Sequence, residues 1–140
     1  MIQINIMKKI KKTKIKSYKN SSGKLIPFTF DKKFPIKAKR IFYILGKKNK
    51  IRGEHAHKKC SQFLYPLLGN FQINILTKNL NKKLTISSKK NIGYLIRPKT
   101  WLKIKILSKS SILMVVCNMK YDFSDYIEDI TEFKKLIGLK

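Results

Sequence analysis

The 140-residue chain holds two cysteines, two histidines, one tryptophan and seven acidic residues against 33 Lys and Arg. Each shortage excludes something. Cys60 and Cys117 lie far apart with no C-x-x-C spacing, so the sequence predicts no disulfide framework and two ordinary thiols in a reduced compartment. No run of about 18 apolar residues is present to span a bilayer. Met1–Lys16 carries lysines where a secretory leader needs an apolar stretch, so a cytoplasmic protein with no membrane partner is expected. Arginine is scarce too: Arg40, Arg52 and Arg97 are the only three among the basic residues. Reading of base edges and bidentate phosphate contacts favour the guanidinium fork, so the net charge of +26 does not by itself indicate a specific nucleic-acid partner.

The remaining composition describes a folding chain. Lys, Asn and Ile abound together, as they would under an A/T-rich coding sequence. The resulting positive field attracts small anions such as a sugar nucleotide. A hydrophobic content of 43% fills one compact core, and residues 1–140 are read as one domain. From Ile41 to Met119 short apolar runs alternate with turn-forming Gly, Asn, Ser and Lys. Strands are predicted at Ile41–Leu45, Gln62–Leu68, Phe71–Leu76, Lys83–Ile86, Gly93–Ile96, Trp101–Leu107 and Ile112–Asn118, with Gly69-Asn70 as a tight turn. Leu102, Ile104 and Ile106 share one face of their strand, and Lys103 and Lys105 share the other. Met114 to Cys117 is apolar on both faces, as in a strand buried on both sides, with Cys117 as a small buried hydrophobe. The expected architecture is an all-β sandwich or barrel with a short C-terminal helix.

Five of the seven acids, Asp122, Asp125, Glu128, Asp129 and Glu132, crowd near the C-terminus. Asp129 and Glu132 have capping-box spacing, and Phe133, Leu136 and Ile137 follow at helical period, so the cluster reads as structural.

Both histidines fall in Arg52-Gly53-Glu54-His55-Ala56-His57. In an extended segment positions i and i+2 face one way, so His55 and His57 present two imidazoles to the same space. A His-x-His pair invites a metal reading, but no further histidine exists, and the next candidate ligand, Gln62, is a neutral amide. No metal is therefore expected. Paired imidazoles suit proton transfer near neutral pH. Tyr43 on a neighbouring strand is a candidate to fix one ring, and Arg52 suits a diphosphate or an enolate oxygen.

Spacing around His55, His57, Gln62 and Gly69 resembles the first signature of the cupin superfamily. More closely, Arg40-Ile41-Phe42-Tyr43-Ile44, Arg52 through Lys58, Gln62, Gly69, Trp101 and Tyr121-Asp122-Phe123-Ser124-Asp125-Tyr126-Ile127 resemble the dTDP-sugar 3,4-ketoisomerases. The resemblance covers about Ile26 to Phe133 and departs at Thr77–Lys82, where that family carries an acidic hairpin turn. It implies a cupin-type jelly roll, a homodimer, no cofactor and action on dTDP-4-keto-6-deoxyglucose. The product implied is a dTDP-3-keto-6-deoxyhexose, galacto or gluco, which feeds an aminotransferase making a 3-amino sugar for surface polysaccharide. By the same resemblance His57 is the proton shuttle, Tyr43 its orienter and His55 the second acid/base, with Arg52, Gln62, Lys58, Trp101 and Tyr121 contacting substrate. The competing readings are a metal-dependent cupin and a non-catalytic module that binds a sugar nucleotide or nucleic acid.

Overall fold

A computed structural model of the chain describes residues 10–140, so residues 1–9 of the stretch assessed for a leader lie outside the described residues. Two five-stranded antiparallel sheets face each other. The first runs in the order β1 (Ile10–Lys14), β9 (Ile92–Ile96), β6 (Gln62–Leu68), β11 (Ser111–Cys117), β4 (Arg40–Gly46). The second runs β12 (Tyr126–Ile127), β5 (Ile51–His57), β10 (Trp101–Ile106), β7 (Asn70–Thr77), β8 (Leu80–Ser87). A small hairpin, β2 (Tyr18–Asn20) with β3 (Gly23–Leu25), and helix α1 (Ile130–Leu136) complete it. Neighbouring strands are mostly remote in sequence, as in a jelly roll, and the sheets form a sandwich without closing into a barrel.

Period-two burial builds the core. Leu102, Ile104 and Ile106 turn inward from β10 and meet Leu64, Leu113 and Val115 of the first sheet, while Lys105 stays exposed on the other face. Strand β11 is buried on both sides, as expected from its unbroken apolar run. Leu113, Val115 and Cys117 enter the sandwich, whereas Met114 and Val116 join Phe63 and Tyr65 under Phe28, Phe34 and Ile36. The segment bracketed by Pro27 and Pro35 thus lids the outer face of the first sheet. Gly69 turns between β6 and β7 at φ 87, a left-handed value that favours glycine. Asp129 accepts the Glu132 amide at 2.9 Å to start α1, and Phe133 anchors the helix against Ala56 and Ile127.

All seven predicted strands are present, with ends shifted by a few residues at most. β1, β2, β3, β5 and β12 were not predicted, for two different reasons. β2 and β3 are exposed throughout and carry no apolar alternation to read. β5 turns polar residues inward, which inverts the usual pattern and marks it as functional. The Thr77–Lys82 departure from the family pattern still forms a two-residue hairpin turn at Lys78-Asn79.

A Cβ built at Gly93 would lie 1.9 Å from Phe63 Cζ, far inside contact distance of the aromatic ring. Gly93→Ala is expected to destabilise the protein by about 1–3 kcal/mol through overpacking, read as a lower denaturant midpoint. An unchanged midpoint would show that Phe63 can move aside.

Candidate active site

The site begins with a backbone irregularity. Gly53 (φ 84) and Glu54 (φ 58) are both left-handed, and opposite them the pairing of β10 with β5 slips between Leu102 and Lys103. This is a β-bulge. A side chain at Gly53 would meet the Leu102 carbonyl oxygen at 2.8 Å, so glycine is required there on both conformational and steric grounds. An extra residue reverses the face of everything that follows it. Beyond the bulge His55 and His57 turn to one side, and Ala56 turns to the other to pack on Ile127 and Phe133.

The two imidazoles stand edge to face with centroids 5.0 Å apart, and both lie against Tyr126, at 5.0 Å for His55 and 4.4 Å for His57. Beside them a cavity of about 420 Å³ opens between the sheets. Phe42, Ile44, Gln62, Leu64 and Val115 wall it from the first sheet, and Ile51, Arg52, Gly53, His55, Leu102 and Ile104 from the second. Tyr126 and Glu128 close one end. His55 is part of the wall, and His57 sits deeper, 5% exposed.

His57 is gripped by a residue that the sequence reading assigned to a structural acidic cluster. Its Nδ1 lies 2.9 Å from Asp125 Oδ2, and both side chains are buried. Asp125 also accepts the Lys59 amide at 2.7 Å and the Cys60 amide at 3.2 Å. Those donors suit a carboxylate acceptor, which places the proton of a neutral His57 on Nδ1 and a lone pair on Nε2. Nε2 is buried and has no hydrogen-bond partner among the described residues. Burial pushes the His57 pKa below its ordinary 6.5; Asp125 opposes that shift, while His55 and Arg40 add to it.

The Tyr121–Ile127 stretch explains this placement. Asp122 accepts the Ser124 amide at 3.0 Å and caps a 3-10 turn over Phe123–Asp125. That turn delivers Asp125 beneath the imidazole, and the next two residues form β12, with Tyr126 opposite His57 and Ile127 opposite Ala56. An Asx turn followed directly by an acid was the readable signal.

The other expected residues divide. Arg52 and Gln62 are on the cavity wall. Lys58 is exposed, and its backbone amide, rather than its ammonium, is engaged, donating to the Asp125 carbonyl at 2.8 Å. Tyr121 is exposed beside the site, its ring 5.4 Å from the Arg40 guanidinium. Two placements must be corrected. Tyr43 is 56% exposed on the outer face of β4, because Phe42 and Ile44 take the inward positions, so it makes no bond to an imidazole here and Asp125 holds that place. Trp101 lies outside the sandwich against Phe133, on the face opposite Leu102, and is absent from the cavity wall.

Cys117 also differs from the simple hydrophobe expected of it. It is fully buried, but its sulfur receives Arg40 Nη2 at 3.4 Å and Gln62 Nε2 at 3.7 Å. Cys60, Arg40 and Gln62 together hold the Cys117 thiol below its ordinary pKa, while the Cys60 thiol itself donates to the Ser61 carbonyl at 3.4 Å. Arg40 additionally donates to the Tyr126 hydroxyl at 3.4 Å. The metal set of cupins does not fit this cavity. Gln62 supplies an amide already committed to Cys117, and Arg52 brings positive charge to the same wall.

An antiparallel two-sheet sandwich with an imidazole pair at its open mouth defines a cupin-type protein. The sequence matches the family model described as FdtA: WxcM-like, C-terminal over residues 8–138. It is 32% identical over 120 residues to the TDP-4-oxo-6-deoxy-alpha-D-glucose-3,4-oxoisomerase of Aneurinibacillus thermoaerophilus, covering 85% of this chain and 86% of that one. The fold superposes on QdtA, a sugar 3,4-ketoisomerase from Thermoanaerobacterium thermosaccharolyticum solved with TDP, at TM-score 0.86 and 26% identity over 93% of this chain and 95% of that one. It likewise superposes on the TDP-fucose-3,4-ketoisomerase WlaRA of Campylobacter jejuni at TM-score 0.81 and 29% identity, over 91% and 95% of the two chains. The chain belongs to this FdtA-like family of sugar-nucleotide 3,4-ketoisomerases.

Histidine NMR titration tests the electrostatics. The His57 midpoint is expected below 6.5, and Asp125→Asn should move it lower still, because the carboxylate is the group that raises it. A midpoint above 6.5 in the unaltered protein would contradict the burial argument.

Proposed function

We propose that the protein converts dTDP-4-keto-6-deoxyglucose into a dTDP-3-keto-6-deoxyhexose, with His57 moving the carbon-bound proton. A ketone at C4 acidifies the hydrogen on C3. Its removal leaves an enediolate over C3 and C4, and return of the proton to C4, with transfer of the hydroxyl proton from the C3 to the C4 oxygen, leaves the ketone at C3. Electrons balance within the sugar, so the reaction consumes no redox partner. The base must reach two adjacent carbons and change charge reversibly.

The observation that carries this reading is the His57 imidazole bonded through Nδ1 to Asp125, with Nε2 unpartnered among the described residues, next to the cavity-lining His55. His55, on the wall itself, is assigned to the sugar oxygens, with Arg52 stabilising the enediolate or the diphosphate. Tyr126, a phenol whose burial raises its pKa, packs its ring against both imidazoles, while Asp125 takes the orienting place expected of Tyr43. The relatives support the substrate class, since QdtA has been crystallised with TDP-4-keto-6-deoxyglucose. On this reading the enzyme acts in the cytoplasm, and its 3-keto product suits an aminotransferase that would install nitrogen at C3.

A homodimer is part of the proposal. Ile41, Tyr43 and Leu45 form an apolar row on the edge strand β4, and Leu45 is 76% exposed. An exposed apolar edge of this kind is a pairing surface. Sedimentation should give a dimer, and Leu45→Glu should shift it toward monomer; a monomeric parent protein would remove this element.

Replacing His57 by Asn is expected to lower turnover by roughly 10²–10⁴-fold with the far-UV spectrum retained. In deuterated buffer the variant should also stop exchange at C3 of the substrate. Exchange that survives in His57→Asn but is lost in His55→Asn would reverse the two roles, and loss in neither would remove the imidazole pair from the chemistry. NMR of the product identifies the galacto or gluco configuration at C4.

A further inference from the structure

The shuttle pair His57 and Asp125 has a thiol beside it that takes no part in the proton transfer. A ring nitrogen of His57, the sulfur of Cys60 and a carboxylate oxygen of Asp125 lie within 4.8 Å of one another, all three residues buried. Cys60 is a free cysteine. We propose that His57, Cys60 and Asp125, with water in the fourth position, form a binding site for a divalent cation of the zinc class, and that filling it inhibits the enzyme.

The donor chemistry selects the metal. Nitrogen, oxygen and sulfur suit a borderline-soft tetrahedral ion, whereas magnesium and calcium require oxygen shells. Three protein ligands leave the fourth position of a tetrahedral zinc to water. One thiolate and one carboxylate match the charge of a divalent cation. The Cys60 thiol releases its proton on binding, and a His57 ligated through Nδ1 carries its own proton on Nε2.

That transfer is the inhibitory step. An imidazole with metal on one nitrogen and a proton on the other has no lone pair left to act as a base. The site shares one residue with the His-x-His pair, draws its other ligands from the loop before β6 and the turn before β12, and leaves His55 out.

Cobalt(II) titration of the chelator-treated, reduced protein tests the site without reference to activity. Tetrahedral visible bands with an intense sulfur-to-cobalt band in the near ultraviolet are expected. Cys60→Ser should lose that band and bind cobalt more weakly by at least the roughly 10–100-fold typical of losing even an outer-sphere partner. Should Cys60→Ser fail to fold, Cys60→Ala is expected to lose the band in its place. Zinc should inhibit isomerisation by the parent protein and not by the folded Cys60 variant, and chelator should restore the rate. Cobalt bound without a thiolate band, or equal affinity in the parent and the Cys60 variant, would overturn the proposal. The inhibition rests on the reading of His57 as base, and the spectrum does not. A thiolate band without zinc inhibition would therefore sink the inhibitory role of His57 and keep the site, while turnover without the band would sink the site alone.

Discussion

The bond between His57 Nδ1 and Asp125 Oδ2 holds the functional end of the molecule together. Asp125 joins three things that are otherwise separate: the imidazole at the end of β5, the amides of Lys59 and Cys60 in the loop that follows, and the turn that begins the C-terminal segment. With that turn in place β12 can pair with β5, and α1 can lay Phe133 over Ala56. The same carboxylate therefore orients a ring and docks the last part of the chain. Removing one partner of a buried, hydrogen-bonded pair strands the other groups without acceptors, which costs more than the pair contributes when intact. Fold and site are coupled here through one side chain.

A second constraint is the phase of β5. A plain strand cannot redirect its side chains partway along, because its period is two. The bulge at Gly53-Glu54 supplies one extra residue, so the strand presents Arg52 and then both imidazoles to the cavity end of the sandwich while Ala56 seats the helix. The two left-handed residues are strained relative to a regular strand, and the antiparallel pairing with β10 on one side and β12 on the other holds them.

Much of this was legible in the residues, and what was not has physical causes. Strands that alternate, such as β10, or that are apolar throughout, such as β11, are readable because burial alone specifies them. β5 was not predicted as a strand because its inward residues are polar, yet the His-x-His spacing still located the site. Asp125 was misread because it lies among acids that really are structural: Asp122 caps a turn and Asp129 caps α1. Only the third dimension separates it from them, by burial at 5% exposure. Tyr43 failed for the converse reason. In a strand whose neighbours Phe42 and Ile44 compete for the inward face, local sequence does not settle which parity wins, and the core took the two hydrophobes. Trp101 obeys the same alternation, since an inward Leu102 turns it outward onto Phe133.

On the proposed chemistry the charge state of this pair is set locally. Burial is the largest influence holding the His57 pKa below its ordinary value, and His55 and Arg40 act in the same direction, which favours a neutral ring ready to accept a proton. Once it has accepted one, Asp125 is already in hydrogen-bond contact with the imidazolium, with no solvent to reorganise. The carboxylate therefore stabilises the charged ring more than the neutral one, and it does so at the stage of the reaction when an enediolate of opposite charge stands opposite Arg52. Interactions that strengthen only as charge develops lower the barrier without tightening the ground state. On the proposed chemistry the burial of the ring and a single buried aspartate are thus parts of one arrangement: the first favours the unprotonated imidazole, and the second makes its brief protonation tolerable.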